Sequence, residues 1–593
     1  MVERVTFVLV AADRRPGPWG IMCRCGEQGM ALTDWERELC DDVSRERLMD
    51  MTGRLAGWVR HSGTAPEREA AEYLRGLLDG WGLRTELLTH DAYISLPGPA
   101  HLETEDGARL PCITHSFAAD TGPEGVEAEV VDAAGGPLPP TEAAGRILLL
   151  PGLASPGHVR AGEEAGAAAQ VYVNGPLTHE MIVSPVWGSP GESRLGQLPR
   201  TPVVSVTDET AAAIRERLTA GRRRLRVVAA VDTGWRPTPL LLASLDGPSE
   251  DFVLFSGHLD SWHRGAMDNG TANATMMEVA RVLGARREPL RRGLLLAFWS
   301  GHSHGRYSGS AWFADERWWE LGTRCVAHVN VDSVGGRDAT VLSRGVATAS
   351  LRGLGAAVIR ELTGVAFEGS RVGRAGDQSF LGHGVPSLWM SLSEQPGGGL
   401  GWWWHTTEDT IDRIDPDLLL RDARVYALAV ARLLASSALP LDAAAEAAEV
   451  AGLLSGLAAT AAPAFDLDPV VSRAAGLAAL AARLEACRPR AEALPAAAAV
   501  FDRAVLGTLR PLLGAGFTTG GAFEPDPALA VAPLPLLDPV RRLADLPADS
   551  DEARHLRVDL TRARNRVVAA LEAALAAARA GLAELEPPGG PPS

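Results

Sequence analysis

The sequence predicts an α/β fold in which a sheet is flanked by helices. Two short apolar runs, residues 252–255 and 293–299, have the length of buried strands and end at glycine or polar residues. Segments with helical periodicity lie between and around them. Two further stretches differ in composition and pattern. Residues 123–231 predict a β-rich insert. Residues 437–593, rich in Ala, Leu and Arg, predict a helical domain.

These changes in composition divide the chain into four parts. The predicted parts are a disordered extension (1–30), a main α/β domain in two pieces (31–122 and 232–436), the insert (123–231) and the helical domain (437–593). The extension is rich in Pro, Gly and Arg, and Met30 is an alternative start of translation.

Composition argues against several classes of protein. With 57 basic and 74 acidic residues, the formal net charge is −17, which is unfavourable for nucleic-acid binding. No apolar run reaches eighteen residues, so we expect no membrane span. The six scattered cysteines include no CxxC pair, which favours reduced thiols in a cytoplasm. The start lacks the features of a signal peptide, although secretion stays an alternative.

The elements follow in order from the first helices. Helical periodicity covers residues 44–59 and 65–81, and Thr64 is a plausible N-cap because a proline occupies the first turn after it. Residues 84–89 alternate as a strand. In the insert, a predicted helix at 159–168 lies among three predicted strands, at 145–152, 169–174 and 201–206.

The chain then returns to the main sheet with a predicted strand at residues 238–244. Residues 272–283 are small enough to form a helix that packs closely on the sheet, and residues 415–434 form a helix whose start is set by Pro416. A long amphipathic helix is predicted at residues 558–586.

Polar residues follow the apolar strand at 252–255. The carboxyl ends of strands are where open α/β sheets place their ligands, and His258 offers an imidazole nitrogen to a divalent metal there. Asp260 points the same way and can hold the other ring nitrogen, while Asp268 has two oxygens, enough to bridge two metals. Taken alone, these three residues also fit a buried structural histidine near a turn.

Four later segments strengthen the metal interpretation: FWSGHSHG (298–305), HVNVD (328–332), GDQSFLGHGVPS (376–387) and WHTTEDTID (404–412). In this order, they resemble the cocatalytic zinc peptidase family that includes bacterial aminopeptidases, carboxypeptidase Q, glutamate carboxypeptidase II and the transferrin receptor. The resemblance covers roughly residues 48–434 and implies a zinc-peptidase-type mixed sheet. The insert resembles a protease-associated domain that caps the active site, the alternative being any small β-rich insert.

The resemblance implies two zinc ions bridged by one carboxylate and a water. By position, His258 and Asp332 bind the first metal, Asp268 bridges, His405 binds the second metal, and Asp260 orients His258. One ion, or another divalent transition metal, stays an alternative. The peptide bond between Asp268 and Asn269 is expected to be cis, as it often is in the family.

The sequence departs from the family after the strand that ends at Trp299. The family usually carries two adjacent glutamates there, a general base and a ligand of the second metal, whereas this chain has His302, Ser303 and His304. Counting back from Gly309 makes Ser303 the base and His304 the ligand; counting forward from Trp299 makes His302 the base and Ser303 the ligand. The first alignment needs no insertion, so His304 is the predicted ligand, and His302 has a pKa suited to a base.

Four residues are predicted to meet the substrate. Arg306 and Tyr307 follow the 302–304 loop and are placed to contact a carboxylate or oxyanion. The resemblance implies that Asp377 lies near a substrate amine. Trp404 is predicted to form an apolar wall beside His405, the alternative being that the three adjacent tryptophans pack under their loop.

The predicted function is metal-dependent hydrolysis of peptide or amide bonds, with an aminopeptidase-like or dipeptidase-like substrate. The alternatives are a non-catalytic scaffold or binding protein that retains the fold, and a metal-dependent hydrolase of a non-peptide small molecule. The helical domain resembles the dimerisation domain of the transferrin receptor group, which implies a homodimer. A helical domain that packs only within its own chain is the alternative.

Overall fold

The computed structural model describes residues 32–133, 140–390 and 392–586. The predicted extension, residues 1–30, therefore lies outside the described residues. Within those ranges the chain forms 13 strands. In chain order they are β1 Arg84–Thr104, β2 Arg109–Pro111, β3 Ile113–Thr114, β4 Val126–Asp132, β5 Ile147–Pro151, β6 Ala169–Val173, β7 Val203–Val206, β8 Arg224–Leu245, β9 Phe252–His258, β10 Gly293–Trp299, β11 Cys325–Asn330, β12 Val346–Ala347 and β13 Ser387–Trp389.

The α-helices of the described ranges surround these strands. They are α1 Asp34–Asp41, α2 Arg45–Leu55, α3 Ala65–Gly80, α4 Pro140–Ala143, α5 Pro156–Glu164, α6 Asp208–Thr219, α7 Ala272–Ala285, α8 Ser308–Glu316, α9 Trp318–Arg324, α10 Ala349–Thr363, α11 Pro416–Ala435, α12 Ala443–Ala461, α13 Asp468–Ala486, α14 Arg488–Ala493, α15 Pro495–Phe517, α16 Val540–Asp545 and α17 Asp551–Leu585. None of the described helices has the length and apolar character needed to cross a membrane.

The main sheet is mixed, which confirms the predicted fold class. Its central strands β13, β11, β9 and β10 are parallel neighbours, and β8 and β12 pair antiparallel at either side. All seven residues of β9 are buried, as expected for a strand covered on both faces. Parallel pairing brings the carboxyl ends of β9, β10 and β11 to one edge, where the candidate site lies.

Two long antiparallel strands link the main sheet to the insert. β1 and β8 pair from Arg84 opposite Ser244 to Thr104 opposite Leu225, with an irregularity near Pro97. The sequence predicted only the outer parts of these strands, at 84–89 and 238–244, and not the continuous pairing between them. The predicted boundary between residues 231 and 232 therefore falls inside the continuous strand β8.

The insert forms its own group of strands. β4, β5, β6 and β7 are parallel neighbours, and β3 adds to β7 antiparallel. Its core contains Ile147, Val171, Val204 and Ile214. The three strands predicted in this region are confirmed, and the predicted helix begins three residues earlier, at Pro156, where Ser155 caps it.

The predicted helices of the main and helical domains are also present. α7 is buried along almost its whole length, and α11 begins with Pro416 after the cap residue Asp415, as predicted. α17 begins earlier than predicted, at Asp551, because the Ser550 side chain accepts from the Ala553 N–H and caps the helix there.

Loops from the insert and the helical domain meet over the carboxyl edge of the main sheet. The Trp187 ring lies 4.3 Å from the Tyr307 ring, and the Ala528 N–H donates to the Pro185 carbonyl over 2.7 Å. Arg374 pairs with Asp526. The helical domain thus contacts both the insert and the main domain.

Candidate metal centre

Four of the predicted ligands converge at the carboxyl ends of β9 and β11. His258 Nε2 lies 3.0 Å from Asp268 Oδ1 and 3.5 Å from Asp332 Oδ1. The other oxygen of Asp268, Oδ2, lies 3.1 Å from His405 Nε2. One carboxylate therefore lies between two imidazoles, as a bridging ligand would. The Asp268–Asn269 peptide bond is cis, which confirms that prediction.

The chemistry of these donors fits a divalent transition metal. His258 is buried, and its Nε2 makes no hydrogen bond. Burial disfavours its charged form, but Asp332, Asp260 and Asp268 raise the pKa of His258 well above its ordinary value. Imidazole nitrogen and carboxylate oxygen gathered around one point are the donors that zinc and its neighbours prefer.

Asp260 fixes both His258 and the following loop. His258 Nδ1 lies 2.8 Å from the Asp260 carbonyl and 3.4 Å from its carboxylate. The same carboxylate accepts from the backbone N–H of Ser303 over 2.7 Å and from the Ser62 hydroxyl over 2.6 Å. This arrangement is typical of a residue that orients a metal-binding imidazole.

His302 lies with the metal-binding group. Its ring stacks on that of His258, with centroids 3.8 Å apart and planes at 14°. One ligand atom each of His258, His302 and Asp332 lie within 4.8 Å of one another. His302 Nδ1 lies 2.9 Å from Asp377 Oδ2, which leaves Nε2 for a metal.

His304 lies in a different environment from His302: it is outside the group of ligand atoms within 4.8 Å, although its buried Nε2, like that of His258, makes no hydrogen bond. It is completely buried, and its Nδ1 lies 3.0 Å from the Ser62 hydroxyl. Its ring packs against Trp262 at 4.2 Å and His61 at 4.9 Å. Burial lowers the pKa of His304, so its imidazole is neutral near pH 7.

The residues predicted to bind substrate have other contacts. Arg306 is buried and donates to the carbonyls of Ile182 and Ser184, so its guanidinium fastens the insert loop instead of facing an open cleft. Asp377 accepts from the Ser310 hydroxyl as well as facing His302.

The two predicted aromatic contacts line the site. The Tyr307 ring meets the His302 ring edge-on at 4.8 Å. Trp404 stacks on His405, with centroids 3.5 Å apart, and is partly exposed. Both rings therefore form walls beside proposed metal ligands.

The sequence pointed to no role for Asp409, which contacts the backbone on either side of the Met267–Asp268 peptide. Its two oxygens accept from the backbone N–H groups of Met267 and Asp268, over 2.8 and 3.0 Å. Burial raises the pKa of Asp409 to about 7. Asp409 lies in the 404–412 segment that the sequence singled out. Sequence alone could not distinguish it from a partly exposed loop acid such as the neighbouring Glu408.

We expect Asp409→Asn to lower zinc affinity about 10–100-fold, the usual cost of losing a residue that supports a ligand. An amide has one acceptor oxygen for the two N–H donors, so Asp268 loses part of its support. Zinc titration calorimetry measures the change. Asp412→Asn, at a nearby side chain that is 63% exposed, is the matched control; equal affinities for the two variants would contradict the role of Asp409.

Comparison with known proteins agrees with this geometry. Residues 241–430 match the sequence model of Peptidase family M28. The mouse protein "Aminopeptidase NAALADL1" is 34% identical over 98 residues, which are 16% of this chain and 13% of that protein. The chain thus matches only a small part of the length of this curated relative.

Solved structures share the fold over a larger part of the chain. A zinc aminopeptidase from Bacillus subtilis superposes with a TM-score of 0.53 at 19% identity, covering 66% of this chain and 95% of that one. A Peptidase M28 precursor from Shewanella amazonensis gives a TM-score of 0.55 at 18% identity, covering 67% and 95%. At these identities the likeness establishes the fold. Residues 241–430, which carry the donors described above, are thus similar in sequence to Peptidase family M28.

Proposed function

We propose that the protein is a metal-dependent hydrolase of peptide or amide bonds. The observation that carries the proposal is the position of the Asp268 carboxylate, 3.0 Å from His258 Nε2 and 3.1 Å from His405 Nε2. Two imidazoles and a shared carboxylate have little reason to converge in a buried site unless a cation is bound between them.

We propose His258, Asp268, Asp332, His302 and His405 as the metal-binding residues, with zinc as the metal. The distances favour exchanging the two histidine roles predicted from the sequence, because His302 lies with His258 and Asp332 while His304 packs against Trp262. In this proposal His304 is a positioning residue: its ring and Asp260 share the Ser62 hydroxyl, which supports the loop.

A divalent metal at this site would polarise the scissile carbonyl and acidify water for attack. The chain's own residues then hold the donors in place: Asp260 orients His258, Asp377 orients His302, and Asp409 holds Asp268. The 302–304 loop offers no carboxylate as a general base. Since such a base typically contributes about 10²–10⁴-fold, we expect slow turnover.

A substrate panel tests the proposal. We expect zinc-loaded protein to hydrolyse L-leucine p-nitroanilide and short peptides, and the Asp268→Asn variant to be inactive. Zinc bound without hydrolysis of any amide would favour the scaffold alternative. Hydrolysis confined to esters or other non-peptide substrates would favour the small-molecule alternative.

Three finer proposals accompany this function. We propose that the insert, as a protease-associated-like cover, limits substrate length, because Arg306 fastens its loop beside the candidate metal centre.

We propose a homodimer formed through the helical domain, which light scattering of the full chain would test. A cytoplasmic location is proposed from the cysteine spacing alone.

A further inference from the structure

Glu180 lies on the insert loop directly beside the metal centre. Its backbone N–H donates to the His405 carbonyl over 2.8 Å, and its carbonyl lies 2.7 Å from His405 Nδ1. These two contacts fix the Glu180 backbone against the residue whose Nε2 faces the bridging carboxylate. The insert therefore contributes an acidic side chain to the edge of the site.

The Glu180 carboxylate is buried and only partly satisfied. The residue is 8% exposed, and its Oε2 makes no hydrogen bond. Its Oε1 lies 3.6 Å from His263 Nε2. The imidazole of His263 is charged only when it is protonated, so it is not a permanent cationic partner for the Glu180 carboxylate.

A buried carboxylate without a permanent cationic partner is energetically unfavourable unless a bound group supplies a positive charge and hydrogen-bond donors. The position of the Glu180 carboxylate indicates which group that is. The carboxylate lies between the insert loop and the loop carrying Trp262, whose ring packs 5.9 Å from that of His405. A group bound there would lie beside His405, a proposed metal ligand. An ammonium group supplies both the missing positive charge and N–H donors for the free oxygen.

We propose that Glu180 binds the free α-amino group of the substrate and so determines specificity for the amino end of a peptide. This inference rests on the proposed hydrolase function. It assigns the role to the insert, whereas the sequence placed Asp377 near the amine; Asp377 instead faces His302 and Ser310.

Kinetics of the zinc-loaded full chain test the proposal. We expect Glu180→Gln to raise KM for L-leucine p-nitroanilide about 10–100-fold, the value of a charge-assisted hydrogen bond, with kcat changed much less. KM for N-acetyl-L-leucine p-nitroanilide, which lacks the ammonium group, and the zinc content stay unchanged. The control Glu192→Gln, an exposed acid of the same insert, leaves all these values as in the parent.

Other outcomes would overturn the proposal. An equal fall in kcat for both substrates would make Glu180 a proton acceptor, and a loss of zinc would make it structural. An effect only on N-acetyl-L-lysine p-nitroanilide would assign it to a side-chain ammonium. If Glu180→Gln does not fold, Glu180→Asp, which keeps the charge but shortens its reach, must raise the same KM.

Binding separates this proposal from the hydrolase function. If the parent protein hydrolyses neither substrate, calorimetry with L-leucinamide and N-acetyl-L-leucinamide still decides the role of Glu180. Tighter binding of L-leucinamide to the parent, abolished in Glu180→Gln, would support the proposal while the hydrolase function fails. Hydrolysis that is indifferent to acylation in both proteins would overturn it while the hydrolase function stands.

Discussion

His302→Ala is expected to lower zinc affinity by more than about 100-fold, beyond the usual cost of losing a residue that only supports a ligand. His302 shares with His258 and Asp332 a group of ligand atoms within 4.8 Å, so its removal takes away a donor. His304→Ala should lower zinc affinity by only about 10–100-fold relative to the parent protein, because His304 contacts Ser62 and Trp262 instead. Competition with a chelator of known affinity measures both variants.

The two histidines also differ in their expected effect on folding. His304 is completely buried, so its truncation leaves a cavity and lowers the free energy of unfolding by about 1–3 kcal/mol. His158→Ala, an exposed histidine of the insert, controls for the chemistry of the substitution. Loss of zinc from His304→Ala with retention in His302→Ala would restore the assignment made from the sequence.

Asp268→Asn is expected to reduce hydrolysis by at least about 10³-fold, equivalent to several kcal/mol of transition-state stabilisation. Its carboxylate faces both His258 and His405, and an amide cannot offer two equivalent anionic oxygens to two cations. The measurement is kcat/KM with L-leucine p-nitroanilide at saturating zinc. Asp551→Asn, at a side chain 87% exposed on α17, is the matched control; near-parental activity of Asp268→Asn would remove the bridging role.

Most of the candidate metal centre could be predicted from the sequence because its proposed ligands follow strands. His258 ends β9 and Asp332 follows β11, and parallel pairing brings such positions to one edge. The 302–304 loop follows β10 in the same way, but its three residues turn sharply. Sequence position alone could not tell which ring of that turn faces His258.

Contacts between distant segments could not be predicted. Arg306 was assigned to the substrate because it follows the 302–304 loop, and Asp377 because the family resemblance places it near a substrate amine. Their partners, the carbonyls of the insert loop and His302, lie far away in the chain and become neighbours only in the fold. Asp409 and Glu180 escaped notice for the same reason.

The continuity of β1 and β8 was also not predicted from the sequence. The two strands contain prolines at positions 97, 237 and 239, residues that usually interrupt strand pairing, yet they pair along almost their whole length. Pairing between two long strands compensates for the hydrogen bonds that individual prolines cannot donate.

Anomalous scattering at the zinc edge, from crystals grown with zinc, tests the metal centre most directly. We predict a peak bounded by His258, Asp268, His302 and Asp332, with His405 facing it or a second peak across the Asp268 carboxylate. Crystals that hold zinc elsewhere while this group of side chains gives no peak would contradict the proposed centre and leave a peptidase-shaped scaffold.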